Sequence, residues 1–110
     1  MNYNIIRNVE RWANENRHRL NSQGIEVDER IPAPGDEVPW KASIGFVYEH
    51  QIVTLTVWQR HLNEADVIAL DTATGKDFPI ESLTSEQIDD ISRTLDQIVE
   101  KLLAKGYRDP

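Results

Sequence analysis

Cysteine is absent from the 110-residue chain. Its absence excludes disulfides, thiolate nucleophiles and cysteine-ligated zinc or iron–sulfur centres, and it is typical of proteins from a reducing compartment. Long apolar runs are missing too, because no stretch approaches the roughly 18 apolar residues that a membrane span requires. The opening residues, MNYNIIRNVERW, lack the apolar stretch of a secretory signal. We therefore expect a cytoplasmic protein that does not enter membranes.

Basic residues are scarce relative to acidic ones. The chain has 12 lysines and arginines against 19 aspartates and glutamates, a formal net charge of −7 and a pI near 4.8. A field of this sign repels nucleic-acid phosphates and anionic membranes, and it speeds encounter with a basic partner. Acidity also serves solubility, so it indicates only the sign of charge that a partner would carry. We predict no direct nucleic-acid binding.

Two segments have the 3.6-residue apolar period of amphipathic helices. The first runs from Tyr3 to about Asn21, and Gly24 can end it. The second begins at Thr84, which forms a capping box with Gln87, and it ends at Gly106. The apolar stripe of the second helix consists of Ile88, Ile91, Leu95, Ile98, Val99, Leu102 and Leu103.

Four segments alternate apolar and polar residues with the period of a β-strand. They are Ile25 to Ile31, Trp40 to Tyr48, Gln51 to Gln59 and Ala65 to Asp71. The first is followed by residues 32–39, PAPGDEVP, whose three prolines exclude regular structure. We predict an edge strand and a stiff loop, followed by three strands that are joined by short turns.

The pairing of the second and third strands follows from their apolar faces, because opposed residues in an antiparallel pair point to the same side of a sheet. A turn at Glu49-His50 sets Lys41 opposite Trp58, where a cation–π contact can form. The apolar residues of the two strands then coincide, in the pairs Phe46–Val53, Ile44–Leu55 and Ala42–Val57.

The pairing of the third and fourth strands is predicted in the same way. A turn at Leu62-Asn63 extends the apolar face, with Ile68 and Leu70 pointing into the core and Val67 to the other side. The expected pairs are Val57–Ile68, Leu55–Leu70, Trp58–Val67, Gln59–Asp66 and His61–Glu64.

These elements predict the fold class. Residues 1–110 should form a single α+β domain in two layers. Its elements are an N-terminal helix, a four-stranded antiparallel meander sheet and a C-terminal helix, with both helices packed on one face of the sheet.

Catalytic and metal-binding patterns are weak. The three histidines, His18, His50 and His61, lie in different predicted elements, and no His-Glu-x-x-His motif is present. His61 with Glu64 or Asp66 could act as an acid–base pair, but the sequence has no nucleophile motif to accompany it. We predict no catalytic residue, no metal ligand and no cofactor.

A protein-binding surface is the stronger hypothesis. The predicted uncovered face of the sheet carries Lys41, Val47, Ile52, Thr54, Thr56, Trp58 and Val67, which is the composition of an interface core rimmed by charge. The alternative is that Trp58 packs under Lys41 and contacts no partner. The candidate partner-binding residues are Trp58 as an anchor, Arg60, His61, Glu64 and Asp66 as a polar rim, and Lys41 and Thr56 beside them.

Three features form a pattern over most of the chain. They are the amphipathic first helix, the strands around Ala42 to Tyr48 and Val53 to Trp58, and the segment that leads into the final helix, EADVIALDTATGKDFPIESLTSEQIDDI. This pattern resembles the small immunity proteins of bacterial polymorphic toxin and contact-dependent growth inhibition systems, in particular the group called TriTu. The resemblance implies a non-enzymatic cytoplasmic protein that binds a cognate toxin and blocks its active site or its access to substrate. Many such toxins are basic and act on nucleic acid. It assigns no contact residue, because binding surfaces diverge within such families.

We therefore expect an immunity protein that neutralises a cognate, basic toxin domain by occluding its active site. When free, it should be a monomer or a weak dimer. Two alternatives stay open: a small cytoplasmic enzyme that uses a His61–carboxylate pair, and a scaffold domain that self-associates through the exposed sheet face.

Overall fold

The structure is a computed structural model, and it describes residues 5–30, 41–59, 63–78 and 80–104. The described elements confirm the predicted α+β class, with a helix at the start, an antiparallel sheet in the middle and helical structure at the end. The elements are α1 (Ile5–Ser22), β1 (Glu26–Arg30), β2 (Lys41–Tyr48), β3 (Gln51–Gln59), β4 (Asn63–Asp71), β5 (Lys76–Asp77), β6 (Glu81–Ser82), α2 (Ser85–Asp89) and α3 (Ile91–Ala104).

The first helix forms and ends as its sequence predicts. Its apolar side chains are buried, and Gly24, two residues after its end, adopts a φ of 86°. The amide of Ile25 donates to the carbonyl of Leu20 at 2.9 Å, which satisfies a carbonyl that the helix end leaves unpaired. The chain therefore turns sharply from α1 into β1.

The sheet of the described residues has six strands, two more than the four predicted. The strands β1 to β5 lie in sequence order, and β6 pairs with β4 beside β5. The two additional strands are only two residues each, too short to show a period in the sequence. The prediction that the first strand lies at a sheet edge is confirmed.

The hairpin of β2 and β3 has the predicted register. Phe46 pairs with Val53, and Lys41 pairs with Trp58. Side chains at alternate positions of both strands are buried, as matching of the apolar faces requires.

The predicted register of β3 and β4 is wrong by three residues. Val57 lies opposite Ala65 and Leu55 opposite Val67, whereas Ile68 and Leu70 had been expected there. Because the shift is odd, β4 presents its other face to the core. Gln59 pairs with Asn63, so residues 60–62 connect the strands and the turn is not centred at Leu62-Asn63.

The carboxylates of β4 explain this register. Glu64 and Asp66 share a face with Ile68 and Leu70, because side chains two residues apart in a strand point the same way. Turning that face inward would bury two carboxylates under the helices, at a cost of several kcal/mol per unpaired ion. The face that is buried instead carries Ala65, Val67 and Ala69, whose small side chains let α2 approach β4 closely.

Among the described residues, side chains of the helices and of alternate strand positions form one hydrophobic core. Trp12 contacts both the sheet and the C-terminal helix α3. Its ring meets the ring of Phe46 edge to face, with centroids 5.8 Å apart, and its indole N–H donates to Asp96 Oδ1 of α3 at 2.9 Å. The tryptophan therefore packs against the sheet and is hydrogen-bonded to the C-terminal helix.

The C-terminal segment is two helices, where one was predicted. The capping box is confirmed: Gln87 N donates to Thr84 Oγ1 and Thr84 N to Gln87 Oε1. The helix is interrupted at Asp90, whose carboxylate accepts from the amide of Arg93 at 3.4 Å. An aspartate that bonds to a backbone amide three residues later favours a new helix start. The core stripe continues across the break, because Ile88 and Ile91 are both buried.

None of the helices in the described ranges is long and apolar enough to cross a membrane.

The turn between β2 and β3 gives a first testable prediction. Glu49 has a φ of 53°, a conformation that costs a side-chain-bearing residue roughly 1–2 kcal/mol and that hairpin turns commonly fill with glycine or asparagine. We expect Glu49→Gly to raise the free energy of unfolding by about 0.5–1 kcal/mol, because the greater freedom of the unfolded chain offsets part of the relief. Denaturant unfolding followed by circular dichroism measures the change.

The matched control is Gly24→Ala, which places a side chain at a φ of 86°. This substitution should lower the free energy of unfolding. A stability change of the same sign for both variants would show that backbone conformation does not determine the effect at these positions.

Candidate functional site

The side of the sheet that faces away from the helices is the candidate site. We call it the open face, because no described helix covers it. Its residues follow from the register of the strands: exposed or half-buried positions alternate with buried core positions along β2, β3 and β4, and exposed positions alternate with half-buried ones along β1. They are Glu26, Asp28, Arg30, Lys41, Ser43, Gly45, Val47, Ile52, Thr54, Thr56, Trp58, Glu64, Asp66, Ile68 and Leu70.

Five of the seven predicted partner-binding residues lie together on the open face. Lys41, Trp58 and Glu64 are directly opposed on three neighbouring strands. Thr56 and Asp66 form the next pair on the same face. The observed register brings Glu64 directly opposite the tryptophan and puts Asp66 on the same face of the sheet.

The other two predicted residues, Arg60 and His61, lie outside the described residues. The predicted pairing of His61 with Glu64 is nevertheless wrong, because Glu64 pairs with Trp58. The predicted pairing of Asp66 with Gln59 is wrong for the same reason. Asp66 pairs with Thr56 on its β3 side and with Ser82 on its β6 side.

Trp58 is half-buried at one end of the open face. The Lys41 ammonium lies 6.0 Å from the centroid of its ring, at the outer limit of a cation–π contact. A carboxylate, Glu64, occupies the opposing position on the other neighbouring strand and is exposed. The indole is thus flanked by one charge of each sign while part of its surface stays open to solvent.

Aliphatic side chains extend from the tryptophan end across the rest of the open face. Val47, Ile52 and Leu70 form one row across β2, β3 and β4, and all three are half-buried. Ile68 is 41% exposed. Ile80, which is 62% exposed, directly precedes β6, and the pairing of Glu81 with Val67 places it next to Ile68.

Ile68 and Leu70 contradict the prediction that they belong to the core, and Val67 contradicts the prediction that it is uncovered. Val67 is 3% exposed and is part of the core. The exchange increases the apolar surface of the open face, because a leucine and an isoleucine replace one valine there. Clustered exposed aliphatic residues of this kind are typical of interaction surfaces.

The charges around the open face are mostly negative. Glu26 and Asp28 lie on the edge strand β1, and Glu64 and Asp66 lie on β4. The two cations of this face, Arg30 and Lys41, are both exposed. Arg30 Nε is 3.9 Å from the Asp28 carboxylate in a largely solvent-exposed ion pair, which is weak in water.

The arrangement is suited to non-covalent binding. It offers an indole, a row of aliphatic side chains and acidic groups on β1 and β4, which can bind a partner by burial of apolar surface and by ion pairing. His18 on α1 and His50 in the β2–β3 turn are exposed and lie in separate elements. Among the described residues, no group of three or more histidines and carboxylates could hold a metal ion.

Sequence reasoning missed three features of this face: the aliphatic pair Ile68 and Leu70, the exposed Ile80, and the bare position at Gly45. A signal existed for two of them. The carboxylates at 64 and 66 share their strand face with 68 and 70, and a glycine within a strand often marks a close approach or a gap. No signal identified Ile80, because β6 is too short to show a period.

A function for the open face has to be inferred from its own residues, their exposure and their charges. The main features are the half-buried indole of Trp58, the aliphatic row and the carboxylates of β1 and β4. Comparison of the chain with models of known protein families, with curated proteins and with solved structures finds no match.

Proposed function

We propose that the protein is an immunity protein that binds a basic toxin domain through its open face and so occludes the toxin's active site. The observation that carries the proposal is a sheet face on which Trp58 and the aliphatic row lie uncovered by any described helix. The proposed activity is stoichiometric binding in the cytoplasm, without catalysis.

The composition of the open face supports binding of a protein. Tryptophan is among the residues that most often dominate the energy of protein interfaces, and it does so when the complex removes it from water. Ile68 and Ile80 are the large hydrophobic residues of the described chain with the greatest exposure. Covering them would contribute about 25 cal/mol for each Å² of apolar surface removed from water.

The charge of the protein supports a basic partner. The formal net charge is −7, and the open face carries carboxylates on both β1 and β4. Complementary charges raise the rate of association and exclude partners of the same sign. A toxin domain that acts on nucleic acid would carry basic groups around its active site, and an acidic face would cover them.

The test starts from the coding sequences on either side of this one. Each flanking product, or its C-terminal domain if it is large, is expressed in a bacterial host with and without this protein. We expect one of them to stop growth, this protein to restore growth, and the two purified proteins to form a 1:1 complex by size-exclusion chromatography with light scattering.

Two variants with the same charge change localise the effect. Ile68→Asp adds a carboxylate to the open face, and Ser92→Asp adds one to the exposed side of α3. We expect Ile68→Asp to abolish rescue and Ser92→Asp to retain it. The proposal is wrong if no flanking product is toxic, if rescue does not require complex formation, or if only Ser92→Asp prevents rescue.

A further inference from the structure

A depression of about 310 Å³ lies on the open face between β1, β2 and β3. It belongs to the half of the face that lies away from Trp58. The residues that line it are Asp28, Arg30, Ser43, Gly45, Ile52 and Thr54.

The depression exists because Gly45 has no side chain. Gly45 lies between Asp28 of β1 and Thr54 of β3 in the register of the sheet. A Cβ atom placed at this position would lie 3.6 Å from the Asp28 carbonyl oxygen and 3.7 Å from Thr54 Oγ1. The floor is therefore bare backbone, and a Cβ atom here would make ordinary van der Waals contacts.

The walls differ in chemistry. Ile52 provides an apolar surface, whereas Ser43 and Thr54 provide hydroxyl groups that can donate or accept hydrogen bonds. At the rim the Asp28 carboxylate makes a weak contact with Arg30, because their side chains are 70% and 83% exposed. Glu26 lies two residues before Asp28 on the same strand face.

These features fit a long side chain with an apolar stem and a cationic head. The methylene groups of a lysine or arginine can lie along apolar surface while the charged head stays near water. A carboxylate at the rim of the depression is the natural counter-ion for that head. We propose that the depression receives a lysine or arginine side chain of the partner, with Asp28 as its counter-ion.

This inference depends on the proposed function, because it names the chemistry by which a basic partner is recognised on the same face. It also predicts specificity. Trp58 and the aliphatic row gain affinity from any apolar contact with a partner, whereas the depression at Gly45 selects for a cation at one position. The opposite assignment, in which Arg30 binds a carboxylate of the partner, is an outcome that the experiment distinguishes.

The test uses the full-length protein and short probes, so it does not require the partner. Isotope-labelled protein is titrated with the peptide acetyl-Gly-Arg-Gly-amide and followed by amide chemical shifts in NMR spectra. The control probe contains citrulline, which has nearly the same shape as arginine and no charge. We expect saturable shift changes centred on Gly45 and Thr54 with the arginine probe and at most a much weaker response to citrulline.

Three variants assign the contacts. Asp28→Asn should weaken binding of the arginine probe by roughly two- to fivefold, as expected for an exposed ion pair. Arg30→Gln should leave it unchanged or tighter, because it removes a competing cation. Gly45→Val should abolish it by filling the depression, with its folding checked by the dispersion of the same spectra.

The inference is overturned if the two probes bind alike, if the shifts centre elsewhere, or if Asp28→Asn has no effect. It is also overturned if an acetyl-Gly-Asp-Gly-amide probe binds at this position and Arg30→Gln removes that binding. Failure of the probe titration leaves the growth-rescue result intact. Failure of growth rescue with a positive titration would instead show that the depression binds cations for another purpose.

Discussion

Trp58→Ala should weaken binding of the proposed toxin partner by roughly 2–4 kcal/mol, about 30- to 1,000-fold in dissociation constant. The side chain is half-buried in the free protein, so part of its surface remains to be covered by a partner. The change should appear mainly in the dissociation rate. Surface plasmon resonance or calorimetry with the toxin domain identified by growth rescue measures the loss.

The fold should tolerate this substitution. Trp58 points away from the core, so the free energy of unfolding should fall by less than about 1 kcal/mol. Lys41→Gln is the matched control, because it removes the charge 6.0 Å from the indole ring and keeps Trp58 in place. If Trp58→Ala binds as tightly as the unaltered protein, the indole packs under Lys41 alone and is not an anchor.

Val67→Asp should destabilise the fold far more than Ile68→Asp, although the two residues are neighbours in β4. Val67 is 3% exposed within the core, and a carboxylate there would be buried without a partner, at a cost of about 3–5 kcal/mol. This is a large part of the roughly 5–15 kcal/mol that stabilises a typical domain. Ile68 is 41% exposed, and its substitution should change stability by less than about 1 kcal/mol while abolishing binding.

Thermal unfolding followed by circular dichroism separates the two variants. A folded Val67→Asp variant together with an unfolded Ile68→Asp variant would mean that β4 has the register that matches Ile68 and Leu70 to the core. The fold experiment thereby tests the position of the open face independently of any partner.

Much of the fold could be predicted because local signals agree with one another. Three local signals predict features that the structure contains. The capping box at Thr84 marks a helix start, Gly24 marks a helix end, and the apolar faces of β2 and β3 fix the register of their hairpin. The interruption at Asp90 could not be predicted in this way. The apolar stripe continues through it, and only the carboxylate bond to the Arg93 amide identifies a new helix start.

The register of β4 shows that matching apolar residues is not enough to predict which face of a strand is buried. Ile68 and Leu70 have larger apolar side chains than Val67 and Ala69, so hydrophobicity alone favours turning them inward. The cost of burying Glu64 and Asp66 exceeds that gain, and it decides the register. Trp58 and Lys41 were placed correctly because their hairpin has no such conflict, since no carboxylate lies on the apolar face of β2 or β3.

The hydrogen bond between Trp12 and Asp96 joins residues that are 84 positions apart. The strands between them are arranged in sequence order, so each hairpin can form as soon as its two strands have been synthesised. The apolar stripe of α1 has no such early partner in α3, which is the last described element to leave the ribosome. Folding during translation should therefore proceed through a preformed sheet and finish only when α3 packs over Trp12.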